Sequence, residues 1–270
     1  MSSFKIAMLA SGSKGNAAVI INKEQYFLVD MGLSCRELVK RMKEIQLKPE
    51  QLSGVFITHE HSDHIKGLAT FSKKYAVPIY TSERTLRAIL NKEKEIKRSG
   101  CHIIATNISY NNINVSSFEI PHDAIDPHGY IFEDMESGCK CCYLTDTGFV
   151  TETVRAAVKD AETLVLEANH DVVMLKNGRY PQVLKQRILS TRGHLSNDSA
   201  GMLLTNMSKL PKHIFLAHLS EENNRPQLAL ETVQRMLQQA GKVQPVIWVA
   251  SQNEVVTNYM PPEQNIFGDI

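Results

Sequence analysis

Val55-Phe56-Ile57-Thr58-His59-Glu60-His61-Ser62-Asp63-His64 places three histidines and an aspartate within six consecutive positions, directly after an apolar run. That density of metal-ligand side chains is hard to account for by packing. Alternate residues of an extended chain point the same way, so His59 and His61 can present imidazoles to one point if the chain stays extended past Thr58. Asp63 and His64 then fall where the chain turns into the amphipathic stretch 65–71, and can face a second point nearby. The spacing predicts two half-built metal sites side by side. The competing reading is a solvated loop that happens to be rich in histidine.

The flanking sequence alternates short strand and helix signals. Residues 4–9, 17–21 and 25–29 read as strands, the first two joined by the turn formers Ala10-Ser11-Gly12-Ser13-Lys14-Gly15-Asn16 and the third ending at Asp30-Met31-Gly32. Ser34 caps a predicted helix that runs to about Gln46, with Leu38, Met42 and Ile45 on one face. Further strands are predicted at 78–81, 113–120, 129–132, 141–145, 163–167, 214–217 and 246–250, and helices at 82–90, 154–161, 196–207 and 226–239. His59, His122, Asp146, Glu167 and His218 each come at or just after the end of one of these strands. Strand ends of a layered fold gather along one edge, so residues scattered over the chain can converge there. The pattern predicts an α/β chain, one layered αββα domain over residues 1–260, with 261–270 as a peripheral tail.

Composition sets the outer bounds. The chain has 270 residues, 43% hydrophobic and 22% charged, which suits an ordinary globular core. A net charge of +1 exerts no global pull toward nucleic acid or membrane, so any electrostatic preference must be local. No stretch approaches the ~18 apolar residues of a membrane span, and the first residues lack a secretory pattern. Five cysteines, an odd number, agree with a reducing compartment, and the expected location is the cytoplasm. Cys139, Cys141 and Cys142 cluster just before a strand, where cysteine serves best as a small apolar residue.

The segment Thr58-His59-Glu60-His61-Ser62-Asp63-His64 carries the signature of the metallo-β-lactamase superfamily, and the order of His122, Asp146 and His218 resembles that superfamily's remaining ligand motifs. The end motifs Ser11-Gly12-Ser13-Lys14-Gly15-Asn16 and His218-Leu219-Ser220-Glu221-Glu222-Asn223 look like the bacterial YycJ/WalJ/VicX group. Glu167-Ala168-Asn169-His170-Asp171 and Gly193-His194-Leu195-Ser196-Asn197 agree with it. That branch is similar to RNase Z and to the cyclic phosphodiesterase PhnP. The resemblance implies an αββα sandwich of the metallo-β-lactamase type holding two divalent metal ions. His59, His61 and His122 would hold one ion, Asp63, His64 and His218 the other, with Asp146 bridging. It further implies that His194 stands beside the metals and that Glu167 orients it, so Asp63, Glu167 and His194 form the candidate catalytic set.

Imidazole and carboxylate ligands without thiolates suit zinc or manganese. Two ions ~3.5–4 Å apart can share a hydroxide near neutral pH, which makes a hydrolase, with His194 as proton donor to the leaving oxygen. From Val172 to Asn197 there is no acidic residue, while Lys176, Arg179, Lys185, Arg187 and Arg192 are basic, a plausible track for a phosphate backbone. Tyr180 lies within that stretch and could stack on a base. Ser11, Ser13, Asn16, His170, Ser196, Arg187 and Arg192 are the candidate substrate contacts, although a hairpin turn explains the first three nearly as well, and Ser196 also reads as a helix N-cap. His170 could instead be a second acid or a structural residue. The expected activity is exonuclease-like cleavage of DNA. RNA processing, cyclic phosphodiester or thioester hydrolysis, and a non-enzymatic regulatory role are the alternatives.

Overall fold

The computed structural model describes residues 4–259, so the expected tail at 261–270 lies outside the described residues. In chain order the elements are β1 (Lys5–Ala10), β2 (Ala17–Asn22), β3 (Gln25–Val29), α1 (Cys35–Glu44), β4 (Leu52–Phe56), α2 (Ser62–Ile65), α3 (Leu68–Lys74), β5 (Ile79–Thr81) and α4 (Glu83–Lys92). They continue with β6 (Cys101–Ile103), β7 (Asn107–Tyr110), β8 (Ile113–Glu119), β9 (His128–Asp134), β10 (Lys140–Leu144), α5 (Glu152–Val158) and β11 (Thr163–Glu167). The last are α6 (Val172–Asn177), α7 (Gln182–Ile188), α8 (Asn197–Thr205), β12 (His213–Ala217), α9 (Pro226–Gln239), β13 (Val246–Val249) and β14 (Val256–Thr257).

Two seven-stranded sheets result, ordered β14-β1-β2-β3-β4-β5-β6 and β13-β12-β11-β10-β9-β8-β7. Each is half antiparallel and half parallel: β3 to β6 run parallel in the first, β10 to β13 in the second. The strands nearest the middle read as unbroken apolar runs because both of their faces are covered. Phe27 and Phe56 of the first sheet meet Phe132 of the second with ring centroids 5.4 Å apart, filling the space between the sheets. Each such ring contributes about 1.5–3 kcal/mol through burial. On the outer face of the first sheet lie Leu38 and Met42 of α1, Phe71 of α3 and Ile89 of α4. On that of the second lie Val154 of α5, Leu204 of α8 and Val233 of α9. The layering is αββα, as expected.

The predicted boundaries match closely at 25–29, 163–167 and 226–239, and Ser34, Ser82 and Ser196 cap the helices that follow them. Apart from α2, which falls where a turn is expected, five elements had no anticipated counterpart: β6, β7, β14, α6 and α7. The three strands are two to four residues long and end or extend sheets at their edges, where a short run leaves little periodic signal. The two helices bury only Leu175 and Ile188 respectively, so no apolar stripe marks them. Cys141 faces the inter-sheet core and Cys142 the helices, on opposite faces of β10, and burial pushes both thiols up. All five cysteines are free, and no cysteine joins a metal-ligand group among the described residues. No described helix is long and apolar enough to cross a membrane.

Candidate metal centre

The convergence begins with how the strands end. β4, β8, β10, β11 and β12 stop at residues 56, 119, 144, 167 and 217, and His59, His122, Asp146, Glu167 and His218 lie at or just beyond those points. Asp146 and His218 adopt left-handed backbone at φ 58° and 56°, as does Asp30 just after β3 at φ 60°. A non-glycine residue pays about 1–2 kcal/mol for that conformation. Such strain is typical of positions where the surrounding structure aims a side chain at a functional site. The chain stays extended to His61 and turns into α2 at Ser62, which separates the two halves of the histidine motif as its spacing predicts.

The ligand atoms of His59, His61 and His122 lie within 4.8 Å of one another, and so do those of Asp63, His64 and His218. Asp146 reaches both groups, with Oδ2 3.4 Å from His64 Nε2 and Oδ1 3.9 Å from His122 Nε2. His59 Nε2 and His61 Nδ1 face each other at 3.0 Å. Asp146 Oδ2 and His218 Nε2 are buried without a hydrogen-bond partner. Burial, reinforced by the neighbouring imidazoles of His64, His122 and His61, holds His59 well below the ordinary histidine range, in the neutral form that ligates a cation. Burial also opposes charge on His218, but Asp146, Asp63 and Glu167 outweigh it and push that imidazole up to about 10. His64 is likewise raised against its burial, by Asp30, Asp146 and Asp63. A divalent cation would take the place of those protons. Facing imidazoles and unpaired buried donors on a thiolate-free ligand set fit such a cation.

Buried groups behind the ligands fix them. Asp30, fully buried, accepts from Thr58 N at 2.9 Å and from His64 Nδ1 at 2.8 Å. Ile57, just before the motif, is anchored by Tyr130 Oη and Thr81 Oγ1, which donate to its carbonyl at 2.6 and 2.8 Å. Across the centre, Glu167 Oε1 accepts from both His194 Nδ1 and His218 Nδ1 at 2.8 Å. Its Oε2 accepts from Thr147 N and Leu195 N at 3.0 Å. Burial works against the Glu167 charge, but His194 and His218 together hold the carboxyl below its ordinary range.

A cleft of about 250 Å³ opens over these residues, lined by Ser13, His61, Asp63, His122, Asp146, Asn169, Tyr180, Leu184, Arg187, Ile188, His194, His218 and Ser220. Of the expected substrate contacts, Ser13 and Arg187 line it. Arg187 pairs with Asp123, and Arg192 donates from Nε to the His122 carbonyl at 3.2 Å. The others stand behind the cleft. Ser11 is buried with its hydroxyl accepting from His218 N at 2.7 Å, and Asn16 closes the first turn onto Gly12 while its Nδ2 lies 3.2 Å from His64 Nε2 and 3.4 Å from Asp63 Oδ2. Ser196 Oγ accepts from Ser199 N, so that hydroxyl caps α8. His170 is buried, and burial lowers it to about 4, favouring the neutral imidazole. Sequence reasoning missed Asp30 and Asn169. Asp30 obeys the same strand-end rule as the ligands, and Asn169, whose Nδ2 donates to the His218 carbonyl at 2.8 Å, lies inside a motif already quoted.

Comparison with known proteins agrees with this geometry. Residues 25–219 match the model of the β-lactamase superfamily domain. The exodeoxyribonuclease WalJ of Streptococcus pneumoniae serotype 2 is 40% identical over 242 residues, covering 88% of this chain and 89% of that protein. The exodeoxyribonuclease YycJ of Bacillus anthracis is 39% identical over 238 residues, covering 87% and 89%. Among solved structures, the metallo-β-lactamase fold protein YhfI of Bacillus subtilis superposes with a TM-score of 0.70 at 14% identity, covering 94% of this chain and 99% of that one. The short form of human tRNase Z gives 0.63 at 17% identity over 96% and 100%, and a diphosphatase of the PhnP family 0.63 at 14% over 94% and 96%. These structural likenesses establish the fold. With the family model over most of the chain and relatives at this level of identity, the chain belongs to the β-lactamase superfamily and, within that superfamily of hydrolases, to the YycJ/WalJ group.

Proposed function

We propose that this hydrolase is a deoxyribonuclease that works with two divalent cations, zinc or manganese, and removes nucleotides from DNA ends in exonuclease fashion. The observation that carries the reading is the His194–Glu167 pair, joined at 2.8 Å on the wall of the cleft beside both ligand groups. A thiolate leaving group needs no proton donor near neutral pH, whereas a departing alkoxide does. The names of the WalJ and YycJ relatives supply DNA as the substrate class.

Cations bound by the two ligand groups supply Lewis-acid activation of water and offset charge gathering on phosphorus. The protein's own residues do the rest. Glu167 fixes the His194 ring through Nδ1, which leaves Nε2 to carry the transferable proton. As the oxygen of water bonds to phosphorus and its proton passes to solvent, the bond from phosphorus to the departing oxygen breaks, and His194 Nε2 protonates that oxygen. Asp63 and Asp146 hold negative charge against the imidazoles of His64 and His218. Ser13 and Arg187 line the cleft where flanking phosphates would lie, and Arg192 is tied to the His122 carbonyl. DNA as substrate and five free cysteines support a cytoplasmic location.

The test is digestion of end-labelled single- and double-stranded DNA, RNA, a cyclic nucleotide and a thioester, each with zinc or manganese. DNA should be cut fastest, from an end. His61→Ala should abolish cutting, and His194→Ala should keep its metal content while losing rate. Cutting of DNA by His61→Ala at the parent rate would overturn the two-cation mechanism, and faster turnover of the thioester would overturn the nuclease assignment.

A further inference from the structure

One wall of the cleft is built by α7 and the turn before it, which no apolar periodicity in the sequence announces. Tyr180, between α6 and α7, and Leu184 and Ile188 of α7 face the same space as His61, Asp63 and His194. Tyr180 and Leu184 are half-buried, and among the described residues Tyr180 has neither a hydrogen-bond partner nor an aromatic neighbour. Its ring lines the cleft free of polar and aromatic partners. The ligands beneath it are deep: His59 and His64 are fully buried, and His122, Asp146 and His218 nearly so. A scissile phosphate must pass beneath α7 to reach them. Charge favours that passage, since the segment from Val172 to Asn197 carries five basic residues and no acidic one, and Arg187 stands between Leu184 and Ile188 at the cleft.

We infer that Tyr180, backed by Leu184 and Ile188, is the stacking surface for the terminal base of the DNA strand being cut, so that the end nucleotide must be unpaired to enter. The inference rests on the nuclease reading above and deepens it. A base held in a duplex is covered by its neighbour and its partner strand, and cannot lie flat against a side chain in a cleft of this size. An unpaired base can, and aromatic stacking is the interaction single strands offer whatever their sequence. Arg187 would take the adjoining phosphate.

The experiment crosses a change in the protein with a change in the DNA. Single-stranded oligonucleotides with a normal terminus, or with an abasic terminal nucleotide, are digested in manganese by the parent, Tyr180→Ala and Tyr180→Phe. The parent should lose about tenfold in kcat/KM when the terminal base is removed, chiefly through KM. Tyr180→Ala should already be slowed on the normal oligonucleotide and lose little more on the abasic one, while Tyr180→Phe behaves like the parent. The parent should also favour a frayed or overhanging end over a blunt one. Equal losses for parent and Tyr180→Ala on removing the base would overturn the stacking role alone. Failure of the parent to digest any DNA would overturn the nuclease reading, and this inference with it.

Discussion

The two sheets furnish the centre in different ways, yet each places one buried carboxylate behind its histidines. The first sheet delivers its ligands as a block, His59 to His64, and steadies the block through Asp30 at the end of β3. The second delivers His122, Asp146 and His218 singly from separate strand ends, and Glu167 at the end of β11 ties His218 to His194. Both acids accept from a histidine Nδ1 and from a backbone N–H. Asp30 serves a ligand alone, while Glu167 serves a ligand and the proposed proton donor at once. A carboxylate placed behind an imidazole fixes its tautomer and orientation, so the two halves share one device with unequal duties.

Substituting the two acids separates those duties and carries the largest expected effect. Glu167→Gln should lower DNA cleavage by about 10²–10⁴-fold, the usual range for an acid–base group, because His194 loses the partner that orients it. Asp30→Asn should cost about 10–100-fold in metal affinity. Titrating manganese into each variant distinguishes them: excess metal should restore most of the Asp30→Asn activity and little of the Glu167→Gln activity. Equal rescue of both would mean that Glu167 does no more than Asp30, and the asymmetry would be lost.

Backbone approach gives the next contrast. A Cβ on Gly32 would lie 1.6 Å from the Asp63 carbonyl oxygen, so Gly32→Ala must push the histidine block away from the first turn. Asn16 N donates to the same oxygen at 2.8 Å, and that bond would be strained as well. Overpacking of this kind costs about 1–3 kcal/mol, and urea unfolding should register it. On the other side, a Cβ on Gly193 would lie 2.2 Å from the Ile188 carbonyl oxygen. Gly193→Ala should therefore shift the junction of α7 and His194, whose surroundings are less deeply packed. Stability should change less than with Gly32→Ala, while turnover falls by up to about 100-fold through misplacement of His194. If both variants lost stability equally and kept their rates, the α7 side would be as much a part of the rigid frame as the histidine block.

The same contrast explains what could be read from the sequence. The block announced itself because extended backbone and a following turn need only local spacing. His122, Asp146, Glu167 and His218 were legible through their places at strand ends, since the apolar runs before them are strong. Asp30 meets that rule too, but Asp30-Met31-Gly32 also resembles an ordinary turn, and nothing local reveals that its carboxylate points inward to Thr58 and His64. Ser11 and Asn16 lie in a glycine-rich loop whose turn chemistry hides their direction: folding sets the Ser11 hydroxyl against His218 N, and Asn16 Nδ2 beside both the Gly12 carbonyl and His64 Nε2. The α6–α7 segment shows in the sequence a basic stretch and Tyr180 but no helix. Its helices bury one residue each, so their existence depends on tertiary neighbours rather than on pattern.

The smallest expected effect concerns a third carboxylate, Asp123, which pairs with Arg187 through one oxygen and lies 3.3 Å from His122 Nε2 through the other. Arg187 is paired with it at the cleft, so a phosphate arriving there must take Arg187 from an existing partner, and the net gain is modest. Arg187→Gln should weaken single-stranded DNA binding and reduce the slope of log K against log salt by about 0.7, the share of one phosphate contact. Asp123→Asn should act in the opposite sense, since it releases Arg187 to the phosphate and removes a negative charge from the path of the strand. Fluorescence anisotropy over a range of salt concentrations reads both. If Asp123→Asn weakened binding as Arg187→Gln does, the pair would be a clasp that positions α7, and the second half of the centre would owe its shape to the same kind of buried or half-buried acid that orders the first.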